Sequence, residues 1–166
     1  MGTLIGLILL SLALMFQSAV LANVTLLHGA VDLILLIVVS WLSRDEVENP
    51  WAWIIIAGTG MGLISQIPVW LTLPAYALIG LIGVSLRRRI WQVPLFSLFL
   101  LTFTGTLLLH LITIILLFVE GVSLNLGEAI NQVTLPTLVL NMLVVVPVYS
   151  VVSEISALLY PDALDE

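Results

Sequence analysis

The sequence predicts an all-α polytopic membrane protein of six transmembrane helices, with both termini cytoplasmic. Three observations predict it: apolar runs near bilayer length, too little charge to face water, and basic residues confined to two places. Hydrophobic residues make up 61% of the chain and charged residues 8%, against roughly 45–50% and ~25% in a soluble domain. Mean hydropathy is +1.27. Lipid, not water, must be the solvent for most of this surface. The length of 166 residues suits a single transmembrane domain over 1–166. There is no cysteine, which excludes disulfides and thiolate chemistry. Four Lys and Arg against ten acids leave no basic patch for a nucleic acid.

A helix rises about 1.5 Å per residue and the hydrocarbon core is about 30 Å thick, so a span needs ~20 apolar residues. The first span is predicted over 3–22. It lacks a basic leading segment and so reads as a span, although "VLA" at 20–22 resembles a cleavage site. The connection "NVTLLHGAV" leads to a second span over 30–43. "RDEVENP" is a polar turn, and Pro50 is placed to open a third span over 51–70, with Pro68 near its end. The fourth run, 73–86, is only about 21 Å long as a helix. It is expected to dip into the membrane as a hairpin with the third. The fifth span is 94–119, followed by the loop "EGVSLNLGEAINQ". The sixth is 134–158, with Pro147 near its middle as a kink.

All the positive side chains lie at Arg44, Arg87, Arg88 and Arg89. Lys and Arg accumulate in cytoplasmic loops near span ends. Six spans with both termini inside put both basic sites on the cytoplasmic face, in reach of lipid headgroups. Trp41, Trp51, Trp53, Trp70 and Trp91 fit interfacial belts.

Small residues let helices approach closely in lipid, where apolar burial between helices gains little. Such stripes occur at Ser11, Ser18 and Ala22, at Gly58 and Gly62 with Ser65 and Gln66, and at Tyr76, Gly80 and Gly83. They are candidates for internal packing or for contact with a partner helix. The fifth span carries a polar line of Thr102, Thr106, His110 and Thr113. The sixth answers with Thr134, Thr137, Asn141, Tyr149 and Ser153. These faces are expected to meet as a polar core, with Thr106, His110, Asn141 and Tyr149 at its centre.

Catalysis is not expected. No acid or base falls near a predicted midplane except His110, and one histidine cannot make a metal site. Asp32, Glu120 and Glu154 are expected at the membrane boundaries. No Walker loop, HExxH or Ser–His–Asp arrangement is present, and no cofactor is expected.

Three segments, in order along the chain, carry a resemblance. "FQSAVLANVTLLHGAVDLILLIVVSWL" contributes Gln17, Gly29, Asp32 and Leu33. "GTGMGLISQIPVWLTLPAYALIGLIGVSLRRR" has the form of a glycine-rich hairpin followed by basic residues. "LPTLVLNMLVVVPVYSVVSEI" contributes Leu135, Pro136, Asn141, Pro147 and Tyr149. Together they resemble the MreD family, small integral membrane proteins of the bacterial rod-shape (elongation) system. Val31 stands where that family often has Pro, and Ser65–Gln66 where it often has Leu–Asp. The resemblance implies a non-catalytic scaffold in the bacterial cytoplasmic (inner) membrane. Its implied partners are MreC, which has one membrane helix, and in a larger complex a SEDS glycosyltransferase and a class B penicillin-binding protein. The implied fold is similar to the substrate-binding S component of ECF vitamin transporters. That likeness supplies the alternative function, small-molecule capture.

Overall fold

The computed structural model describes residues 2–19, 29–44, 50–89 and 94–159. Ala22, His28 and Trp91 fall outside the described residues, as do the side chains of Arg87, Arg88 and Arg89. The chain is all-helical: α1 (Gly2–Ala19), α2 (Leu33–Leu42), α3 (Pro50–Ile64), α4 (Val69–Arg89), α5 (Pro94–Val119), α6 (Leu126–Glu128) and α7 (Leu135–Leu159). A π-helical stretch, Ala129–Thr134, joins α6 to α7. Among the described residues three helical stretches are long and apolar enough to cross a bilayer: Val69–Leu86, Leu95–Val119 and Leu126–Leu158. The shorter apolar stretches are Leu7–Ala19, Leu33–Leu42 and Pro50–Ile64.

Three elements differ from their predicted bounds. The fourth is not short: α4 has 21 residues, about 32 Å at helical rise. The run predicted from 73 begins at Val69, with Pro74 inside the helix. The carbonyl that Pro74 leaves without a helical donor belongs to Trp70, on an exposed side of the helix. The third element is the shorter one, ending at Ile64. There the Ser65 hydroxyl accepts from Ile67 N–H (3.3 Å), and Pro68 disfavours a helical Ile67. The predicted loop at 120–132 is helical from Leu126, capped by Asn125, whose side chain accepts from the N–H groups of Gly127 and Glu128. The π turn ends just before Pro136, which has no N–H to give; the widened turn makes room for its ring.

α2 is the hub. Only 10 residues long, it is buried from Ile34 to Leu42 and packs against α1, α3, α4, α5 and α7. Around it, α1 packs on α3, α3 on α4, α4 on α5, and α5 on α7. Among the described residues the ring is open between α7 and α1. An apolar groove of about 450 Å³ lies in that gap, with Leu33 and Ile37 of α2 as its floor.

The glycines set the close approaches within the hairpin. A Cβ on Gly58 would meet Leu73 Cα at 3.1 Å, and one on Gly62 would meet Val69 Cα at 2.6 Å. Gly80 faces Ile54, and Gly83 faces Leu101 and Leu42. All four contacts are internal. Two of the tryptophans face each other rather than the outside of the bundle: Trp41 and Trp53 are buried and stack with ring centroids 4.0 Å apart. Trp51 and Trp70 are exposed.

Candidate functional site

The candidate site is at the end of the bundle where α1, α3 and α5 finish and α2, α4 and α7 begin. It is built on the extended segment before α2. Asp32 caps that helix: its carboxylate accepts from Leu35 N–H at 3.0 Å. Gln17 of α1 clamps the same turn, its Oε1 accepting from Ile34 N–H (3.2 Å) and its Nε2 donating to Asp32 Oδ1 (3.4 Å). From the other side, α7 completes the node. Asn141 Oδ1 accepts from Asp32 N–H at 2.9 Å, and Thr137 Oγ1 accepts from Ala30 N–H at 3.2 Å. Asn141 Nδ2 then donates to Thr106 of α5 at 3.0 Å.

This is how a short helix can begin inside the protein. The first N–H groups of a helix have no intrahelical partner, and lipid offers none. Here Gln17 of α1 takes Ile34 N–H and the Asp32 carboxylate takes Leu35 N–H, while Asn141 of α7 holds the N–H of the capping residue. Gly29 lets the segment lie directly on α7: a Cβ there would sit 2.6 Å from Thr137 N and 2.8 Å from Pro136 C.

A cavity of about 130 Å³ adjoins the node, lined by Asp32, Ser65, Thr72, Tyr76, Thr106, His110, Thr113, Thr137 and Asn141 among others. Asp32 is half-buried; Tyr76, Thr106 and Asn141 are buried. Among the described residues the Tyr76 hydroxyl has no hydrogen-bond partner.

The polar faces of α5 and α7 do meet, through Thr106–Asn141 and through His110 Nδ1 and Thr134 Oγ1, 3.2 Å apart. Thr102 and Thr113 instead bond to carbonyls of their own helix. Tyr149 is half-buried against the apolar core. Ser11 and Ser18 are exposed on α1, and Ser18 bonds back to Met15 O. Arg44, at the opposite end of the bundle, donates to Ser153 of α7. Among the described residues no cluster of three or more His, Asp or Glu could hold a metal ion.

Asp32 was expected at a membrane boundary, and Gln17 entered only through the resemblance. A local signal for the first exists: an Asp directly before the apolar run "LILLIVV" has the form of a helix N-cap. Nothing in the local pattern marks Gln17, and helical spacing marks Tyr76 only as part of the packing stripe with Gly80 and Gly83. Compared with protein-family models, curated proteins and solved structures, the chain gives no match.

Proposed function

We propose that the chain is a non-catalytic membrane scaffold of the MreD kind, which holds the single membrane helix of MreC in the gap between α7 and α1. The observation that supports this reading is the open ring. Five helices surround α2, and the break between α7 and α1 is lined by Leu12, Phe16, Val148 and Val151 among other apolar side chains. One added helix would complete six around one. The lining offers close-packing surface and almost no polar group, which suits a transmembrane helix. Five of the nine residues named for the resemblance converge in space: Gln17, Asp32 and Asn141 in the node, and Gly29 on Pro136 beside it. The SEDS glycosyltransferase and the class B penicillin-binding protein would join through MreC or beside it. The second reading, vitamin capture, is weaker because a polar cavity of about 130 Å³ falls below the ~300–1,000 Å³ of usual ligand pockets.

Replacing Leu12 and Val148 together by Trp fills the gap. The unmodified protein is expected to bring down MreC and cell-wall synthases from its native membrane. The double variant should lose MreC about tenfold, normalised to inserted protein, while Leu111→Trp on the outer face of α5 keeps it. Absence of MreC from the unmodified sample overturns the scaffold reading. Recovery of an ATPase-bearing transport module instead establishes the alternative.

The proposed placement is the bacterial cytoplasmic membrane, crossed six times with both termini inside. Gly83 of α4 lies against Leu42 of α2, so Arg44 and the helical residues Arg87–Arg89 extend from the same end of the bundle. We assign that end to the cytoplasm by its positive charge. A cysteine at the exposed Ser123 should react with an impermeant reagent in intact spheroplasts, and one at Asn49 should not. The reverse pattern would invert the orientation.

A further inference from the structure

We propose that the cavity beside Asp32 is a binding site for a small monovalent cation, an alkali ion or a primary ammonium group. The inference does not depend on which partner the protein serves.

Three features of the cavity point to positive charge. Three of its lining hydroxyls have their protons spent on backbone carbonyls. Thr72 donates to Gly58 O and Thr113 to Leu109 O, both at 2.8 Å, so these hydroxyls turn only lone pairs to the space. Ser65 donates to Ile67 O at 3.2 Å, and the Asn141 amide donates to Thr106 at 3.0 Å. Next, Asp32 is the one carboxyl group in the lining, and among the described residues no Lys or Arg lines the cavity to compete for it. The N-terminus of α2 offsets about half a unit of a carboxylate's charge there, so a bound cation would supply the remaining partner. In a membrane protein an ionisable side chain held among helices is expected to have a partner. The third feature is Tyr76. Its hydroxyl is fully buried, has no hydrogen-bond partner among the described residues, and belongs to a residue lining the same space. Burying such a group without a partner is costly. A bound cation, directly or through its water, would use the free oxygen.

Size narrows the class further. About 130 Å³ holds an ion with several waters, or a small amine. Hard oxygen donors with a single carboxylate suit a monovalent ion better than a divalent one, which would need more carboxylate charge.

The test is thermal unfolding of the purified protein in nanodiscs, followed by tryptophan fluorescence. Sodium, potassium, ammonium and methylammonium chlorides are titrated at constant ionic strength, balanced with N-methylglucamine, which is too large for the cavity. At least one small cation should raise Tm in a saturable way, as a ligand of the native state does. Saturation by sodium or potassium identifies an alkali ion; saturation by methylammonium with no alkali effect identifies an amine. Asp32→Asn keeps the helix cap, because Asn caps as well as Asp, and should abolish the response. Tyr76→Phe should raise the half-saturating concentration about tenfold, the scale of one hydrogen bond to a charged group. Equal Tm in every salt overturns the proposal, as does an undiminished response in Asp32→Asn. If Asp32→Asn does not fold, Tyr76→Phe decides, and an unchanged half-saturation overturns it.

Discussion

Gly29→Ala is expected to destabilise the fold by about 2–4 kcal/mol. The new Cβ would lie 2.6 Å from Thr137 N and 2.8 Å from both Pro136 C and Pro136 Cβ. These are mostly backbone atoms, and no rotamer change moves them aside. Relief requires lifting the 29–31 segment off α7. That motion would stretch the bonds from Ala30 N–H to Thr137 and from Asp32 N–H to Asn141. The measurement is the midpoint of denaturant unfolding in mixed micelles. Gly127→Ala is the control, since its Cβ would meet only Asn125 Oδ1, at 3.4 Å. It should stay within about 0.5 kcal/mol of the unmodified protein. Equal midpoints for the two variants would contradict the packing described here.

Asn141→Leu is expected to cost about 2–3 kcal/mol. An average interhelical hydrogen bond in a membrane protein contributes only about 0.6 kcal/mol. The larger figure applies because the substitution strands Asp32 N–H, at the start of a helix, with its acceptor removed. It also takes the donor from Thr106, which is buried. His110→Leu should cost less than about 1 kcal/mol. Its hydrogen bond among the described residues is with the Thr134 hydroxyl, which can also donate to Ala129 O at 3.4 Å. The same unfolding assay ranks the two variants, and a larger loss for His110→Leu would refute the primacy of the Asn141 node.

The apolar runs made the helices legible in the sequence, because length and hydropathy are local properties. Pro50 opens α3 as its position suggests, and the polar faces of α5 and α7 meet at Thr106–Asn141. Ends were harder to read. The run predicted from 73 begins at Val69, because one more turn forms before it on an exposed face. The loop after α5 is polar enough to read as coil, yet the Asn125 cap starts a helix within it. The site was legible in half. Thr106, His110 and Asn141 follow from helical periodicity, whereas Asp32, Gln17 and Tyr76 depend on which helix lies at the centre. That is a property of the assembled bundle, and an acid at the end of an apolar run looks the same whether the helix is peripheral or central. Trp41 and Trp53 follow the same logic. They sit at run ends in the sequence, but the hub draws them inward into a stacked pair.

The node at the start of α2 also bears on the order of events at the ribosome. Ala30 N–H and Asp32 N–H find their acceptors 107 and 109 residues further along the chain. At typical synthesis rates of about 5–20 residues per second, that separation is a wait of roughly 5–20 s. Through that interval the segment has no α7 to satisfy it, and 10 residues of α2 are too few to cross the bilayer. The nascent chain would keep this stretch at the hydrated interface, or in the insertion machinery, until α7 emerges. Completion of the hub is therefore a late, post-insertion step, and the interval before it is when the protein is most exposed to membrane quality control.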